Sequence, residues 1–181
     1  MLQPSSLPLC VDLDGTLIHG DVLFMSICKL ARERPFSLLP FLFRLVIQRA
    51  AAKAWLAQEV TVDVTTLPYR QELLDYLRAQ KKTGRKIYLV SAANQTIVRR
   101  VAEHLKLFDA AYGSDEHTNL KGHRKAAFIK EKIAAHFVYA GDAFADLLVW
   151  KEAQGAILCG KACAFKSRLP IAVEALFENR V

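Results

Sequence analysis

The chain has 181 residues, of which 52% are apolar and 24% charged, the profile of a soluble globular domain with room for a small insert. Its 25 basic and 18 acidic residues give a net charge of +7, which suits anionic partners; no basic run interleaved with aromatics supports a nucleic-acid surface. Four cysteines (Cys10, Cys28, Cys159, Cys163) read as thiols in a reducing compartment rather than a disulfide frame, and Cys159-Gly-Lys-Ala-Cys163 lacks the second Cys or His pair of a metal clip.

In chain order, Met1-Leu-Gln-Pro-Ser-Ser lacks the basic start of a signal peptide, and the chain reads as cytoplasmic. The apolar run Leu7 to Val11 predicts a first strand that delivers Asp12-Leu13-Asp14-Gly15-Thr16. Asp21 is placed to cap a helix over Val22 to Glu33, and Arg34-Pro35 breaks it. A second helix is expected from Phe36 or Ser37 to Glu59, apolar nearly all round at first, with Arg44, Gln48, Arg49 and Lys53 toward its second half. The apolar part, Phe36 to Ile47, is too short to cross a bilayer core, which needs about twenty residues. A loop or short β segment over Val60 to Thr66 follows, then a helix starting at Pro68 and closed by Gly84.

Lys86 to Val90 predicts a second strand with Ser91 directly after it, Thr96 to Leu107 a helix, and Phe108 to Tyr112 a third strand. A helix from about Lys125 to His136 precedes a fourth strand, Phe137 to Ala140, which ends at Gly141-Asp142. A helix over Ala143 to Ala153, a fifth strand over Gly155 to Cys159 and a tail at helical spacing (Ala172-Val173, Leu176-Phe177) complete the chain. This alternation predicts an α/β fold with a doubly wound, parallel, five-stranded Rossmann-like sheet. Residues 1–20 and 67–181 would form the core, with 21–66 a helical insert above it.

Ligands of open parallel sheets bind at the carboxyl ends of the strands. Asp12 and Asp14, Ser91, and Asp142 with Asp146 therefore converge on one crevice. Asp12 and Asp14 would share a face if the strand continued, and two carboxylates so close disfavour each other's ionisation unless a cation sits between them. Asp146 lies one helical turn beyond Asp142, on the same side. Singly, each motif has a bland reading: an Asp-rich turn, a turn serine, a helix N-cap. Their joint placement at strand ends does not.

Asp12-Leu-Asp-Gly-Thr16, Ile87-Tyr-Leu-Val-Ser91 and Gly141-Asp142-Ala-Phe-Ala-Asp146 together resemble the first, second and fourth motifs of the haloacid dehalogenase-like (HAD) phosphatases. The resemblance implies that Asp12 attacks phosphorus and Asp14 protonates the leaving group. Ser91, with the following amide at Ala92, would hold a phosphoryl oxygen. Asp12, the backbone carbonyl of Asp14 and Asp142 would supply hard oxygen ligands, with Asp146 closing the shell directly or through water, a set suited to Mg²⁺. Two lysines compete for the third motif: Lys121 in Lys121-Gly122, and the preferred Lys125 in Gly122-His-Arg-Lys125. The insert would be a C1-type cap, where Phe24, Phe41 and Trp55 either line a pocket or pack the cap.

Pro8 to Leu17, Leu67-Pro68-Tyr69, Asn119-Leu-Lys-Gly122 and Tyr139-Ala-Gly-Asp142 are similar to a HAD-like domain that precedes some UbiA-type polyprenyl transferases, over roughly Pro8 to Cys159. This implies a small phosphorylated substrate, a prenyl phosphate among the candidates, and a membrane-associated prenyltransferase domain as partner. Two alternatives stand beside the phosphatase: a phosphotransferase, and a non-catalytic module docked on a membrane or partner enzyme.

Overall fold

The computed structural model describes residues 6–47, 52, 55–56, 59–60, 62–115 and 118–179. Its frame is a sheet of six parallel strands: β1 (Leu9–Val11), β2 (Ile87–Asn94), β3 (Ala110–Ser114), β4 (Val138–Gly141), β5 (Gly155–Cys159) and β6 (Ala172–Phe177). They lie in the order β3-β2-β1-β4-β5-β6, so β1 is central, with Leu9 in register with Ile87 on one side and Val138 on the other. β1, β4 and β5 are buried along their whole length. Strands covered on both faces read as continuous apolar runs, which is why these three were legible. Helices α3 (Gln71–Lys82) and α4 (Gln95–Leu105) cover one face through Leu73, Leu77, Val98 and Val101. On the other face, α5 (His123–Lys132) and the short α6 (Leu147–Trp150) contribute Ala126, Ile129 and Trp150.

The sixth strand corrects the expected tail helix. Residues Gly160–Arg168 form 3₁₀ turns, and Ala172–Phe177 then pairs with β5 from Gly155↔Ala172 to Cys159↔Phe177. A helix there would leave the outer backbone groups of β5 without ladder partners, and that long-range demand outweighs local spacing. Glu174 reinforces the strand through a two-pronged contact with the buried Arg85, at 2.8 Å and 3.1 Å. Elsewhere the corrections are to boundaries. β2 runs on to Asn94, so Ser91 lies within it, and Asn94 caps α4 by accepting from Thr96 N at 2.9 Å. The helix expected at Pro68 starts at Gln71, because Tyr69 first bridges to Ile18. Gly84 takes a positive φ of 85° after Thr83, as a residue just past a helix end must.

Helix α1 (Val22–Glu33) is capped by Asp21, whose carboxylate accepts from Phe24 N at 3.0 Å. After a 3₁₀ turn at Pro35–Ser37 comes α2 (Leu38–Ile47). Of the rest of the expected second helix, Ala52, Trp55, Leu56 and Glu59 are helical; residues 48–51, 53–54 and 57–58, with Gln48, Arg49 and Lys53, lie outside the described residues. Leu30, Phe41, Ala52, Leu56 and Val60 form a small apolar cluster separate from the sheet's own. Residues Val64–Thr66 make a 3₁₀ turn. No helix among the described residues is long and apolar enough to cross a membrane.

Candidate active site

A cleft of about 620 Å³ opens at the carboxyl ends of β1, β2 and β4. All eight residues singled out from sequence line it: Asp12, Asp14, Ser91, Ala92, Lys121, Lys125, Asp142 and Asp146. Asp12 directly follows β1, held by its N–H to Ala140 O at 3.0 Å, and its Oδ1 accepts from Leu13 N at 2.8 Å. The chain then turns, with Gly15 N donating to Gly20 O at 2.8 Å. Gly15 has φ of 71°, and a Cβ there would collide with the Asp142 carboxylate, so both backbone and space demand glycine.

Asp14 is fixed by Val22 N, which donates to its Oδ1 at 2.8 Å and ties it to the first turn of α1. Burial pushes Asp14 up to about 7, against the pull of that hydrogen bond and with a further push from Asp21 and Asp12. Asp142 is pushed up to about 6 by burial and then by the Asp146 and Asp12 carboxylates.

Lys125 is buried, and its Nζ lies 2.8 Å from Asp12 Oδ2. Gly122, at φ of 56°, starts α5 so that Lys125, Ala126 and Ile129 face the sheet, while Lys121 stays exposed on the preceding loop. The Lys125 ammonium also donates to Tyr139 Oη at 2.8 Å, and the Tyr139 hydroxyl donates in turn to Asp146 Oδ1 at 2.8 Å. Asp146 Oδ2 accepts from the Asp142 and Ala143 amides at 3.1 and 3.0 Å. Its carboxylate is thus turned into the protein, where it braces the loop that carries Asp142. Ser91 is buried beside the cleft, its Oγ accepting from Ala93 N at 3.1 Å.

Sequence reasoning missed four contributors. Tyr139 reads as an ordinary core residue of an apolar strand. Arg70 is buried and donates to the carbonyls of Gly15, Thr16, Phe177 and Glu178 and to Asn179 Oδ1, at 3.0–3.3 Å. It clamps the turn after Asp14 to the chain leaving β6, and Asn179 and Lys161 join the cleft wall from that side. Nothing local signals this, because Arg70 lies 54 and 55 residues from Thr16 and Gly15 and 107–109 from Phe177, Glu178 and Asn179. Of the apolar candidates in the insert, Phe24 lines the cleft, Phe41 is buried in the insert's own cluster, and Trp55 stacks on Phe41.

The residues fit a hard divalent cation. Asp12 and Asp142 line the same cleft, and Asp142 is raised by burial first and then by the Asp146 and Asp12 carboxylates, a cost that a cation bound there would relieve.

The family described as haloacid dehalogenase-like hydrolase matches residues 9–149, spanning all of these strand-end groups except those of the tail. The chain belongs to the HAD-like hydrolases. It is 41% identical over 163 residues to the uncharacterized protein y4nM of Sinorhizobium fredii (strain NBRC 101917 / NGR234). That match covers 90% of this chain but 32% of the relative, so the HAD-like chain spans about a third of the relative's length. Among solved structures, a protein of unknown function from Bordetella pertussis Tohama I superposes with a TM-score of 0.67 at 16% identity, covering 92% of this chain and 96% of that one. A substrate-bound phosphoserine phosphatase gives 0.61 at 16% identity, with 93% of each chain covered. At such identities the likeness is one of fold, and this HAD-like chain shares the Rossmann-like α/β fold of both.

Proposed function

We propose that this HAD-like hydrolase is a phosphoric monoester hydrolase acting through an aspartyl-phosphate. The observation that carries the reading is the Asp12 carboxylate at the end of the central strand, with the buried Lys125 ammonium 2.8 Å from one oxygen and the other held by Leu13 N. Asp12 is the nucleophile. Its Oδ forms a bond to phosphorus as the bond to the leaving oxygen breaks, and Asp14 gives that oxygen its proton. Asp14 then takes a proton from a water whose oxygen attacks phosphorus, the Asp12–phosphorus bond breaks, and inorganic phosphate leaves. Splitting one displacement into two lowers the barrier of each. A carboxyl held near 7 by burial is suited to both giving and taking a proton at neutral pH.

Lys125, Ser91 Oγ and the Ala92 amide balance charge on the equatorial phosphoryl oxygens, where such reactions gain most of their rate. Tyr139 and Asp146 keep Lys125 and the Asp142 loop in place. Mg²⁺ is the expected cofactor, with Asp12, the Asp14 carbonyl and Asp142 as its protein ligands and Asp146 behind them; when bound it supplies further positive charge to the phosphoryl group. The insert carrying α1 and α2 acts as the cap, and Leu23 and Phe24 give the cleft an apolar wall.

The test is Mg²⁺-dependent release of phosphate from an aryl phosphate, followed by a panel of phosphorylated metabolites and prenyl phosphates. Wild-type protein should turn over and Asp12→Asn should not, with an unchanged circular dichroism spectrum. Equal activity in Asp12→Asn would remove Asp12 from the chemistry.

A further inference from the structure

Helix α2 is apolar on its exposed side, which no described residue covers. It buries Phe41 and leaves Leu39, Leu42, Phe43, Val46 and Ile47 outward, with Phe36 beside them from the preceding turn. The exposures are large: 94% at Phe36, 85% at Val46 and 79% at Leu39. Scattered exposed apolar residues need no explanation, but five large ones on one face of one helix, with Phe36 beside them, mark a surface that something covers. No charged residue lies on that face. Arg44 falls to its flank, with its guanidinium over the Trp55 ring, 5.2 Å from the centroid.

Charge narrows the occupant. Residues 22–59 contain six basic side chains (Lys29, Arg32, Arg34, Arg44, Arg49, Lys53) and two acidic ones (Glu33, Glu59), a net +4 of the chain's +7. A second copy meeting this face would bring the same positive charge against itself, which disfavours a symmetric pair. An anionic bilayer supplies both requirements, an apolar layer under a negative surface. The described part of α2 is ten residues, about 15 Å, and no helix among the described residues is long and apolar enough to cross a membrane, so the face is read as lying in the interface plane.

We propose that the outward face of α2 docks this protein on anionic membranes. The apolar side chains enter the acyl boundary, and Arg44 at their flank meets the headgroups. This placement is independent of the chemistry proposed for the cleft.

The test is flotation with phosphatidylcholine vesicles, with and without about a third phosphatidylglycerol, at low and at physiological salt. Sedimentation of the free protein runs alongside. Wild-type protein should float with the anionic vesicles, at least fivefold less with neutral ones, and less as salt rises. A Leu39→Ser/Phe43→Ser/Val46→Ser variant should float at least tenfold less. It should keep its circular dichroism melt, because the three side chains are exposed. Wild-type protein that floats with neither vesicle, floats equally with both, or is unaffected by the triple substitution would overturn the proposal. So would a dimer that the triple substitution dissociates, because the face would then belong to a second copy.

Discussion

Lys125 Nζ stands 2.8 Å from Asp12 Oδ2, joining the first residue after the central strand to the buried face of α5. Two lysines four residues apart competed for that position in sequence, and the helix that begins at His123 turns one of them inward. A buried ammonium beside a carboxylate in a cleft of like charges is the arrangement most sensitive to truncation. Lys125→Met should lower kcat/KM for an aryl phosphate by about a thousandfold, whereas Lys121→Met should cost less than tenfold. Steady-state kinetics on the two variants decides between them, and the reverse order would move the role to Lys121.

Tyr139 serves Lys125 and Asp146 at once, so its hydroxyl contributes to geometry more than to charge. Tyr139→Phe keeps the ring packed on Trp150 but leaves both partners one contact short. The expected result is a fall in kcat of about tenfold with a stability loss of about 1–2 kcal/mol. Urea titration alongside turnover measures both; wild-type values on each would show that the relay is ornamental.

Arg70 is the stitch between the turn after Asp14 and the end of β6. Removing it takes the donor from the carbonyls of Gly15, Thr16, Phe177 and Glu178, of which the first three are at least partly buried. Arg70→Ala should therefore destabilise the fold by about 3 kcal/mol and free the C-terminal segment. Faster hydrogen exchange in β6, with β1 to β4 little changed, is the pattern to look for, and uniform exchange across the sheet would contradict the assignment.

Asp109 offers a pH test away from the cleft. Burial pushes its carboxyl up, but Ile87 N–H and the Lys81 and Lys86 ammoniums outweigh this and hold it at about 2, against an ordinary 3.8. The folded value is the lower one, so the stabilisation is complete above about pH 4 and is lost as pH falls through about 2. Asp109→Asn should cost about 1 kcal/mol at pH 7, a modest figure because Lys81 and Lys86 are partly solvated. The gap between wild type and variant should close between about pH 4 and 2 in urea titrations; a gap constant through that window would mean that the carboxylate's charge is not what matters.

Much of this was legible in the amino-acid order. Burial on both faces makes β1, β4 and β5 continuous apolar runs, and groups at strand ends of a parallel sheet must converge, so Asp12, Asp14, Ser91 and Asp142 could be placed together before any coordinates. Tertiary structure decided what depends on partners far along the chain. Residues Ala172–Phe177 became a strand because β5 had an edge to fill, although their spacing suits a helix. Arg70 and Tyr139 joined the site through contacts that no local period encodes. The same holds for the pair at the centre: the order of residues supplied two lysines, and the angle at which α5 leaves Gly122 put Lys125, not Lys121, against Asp12.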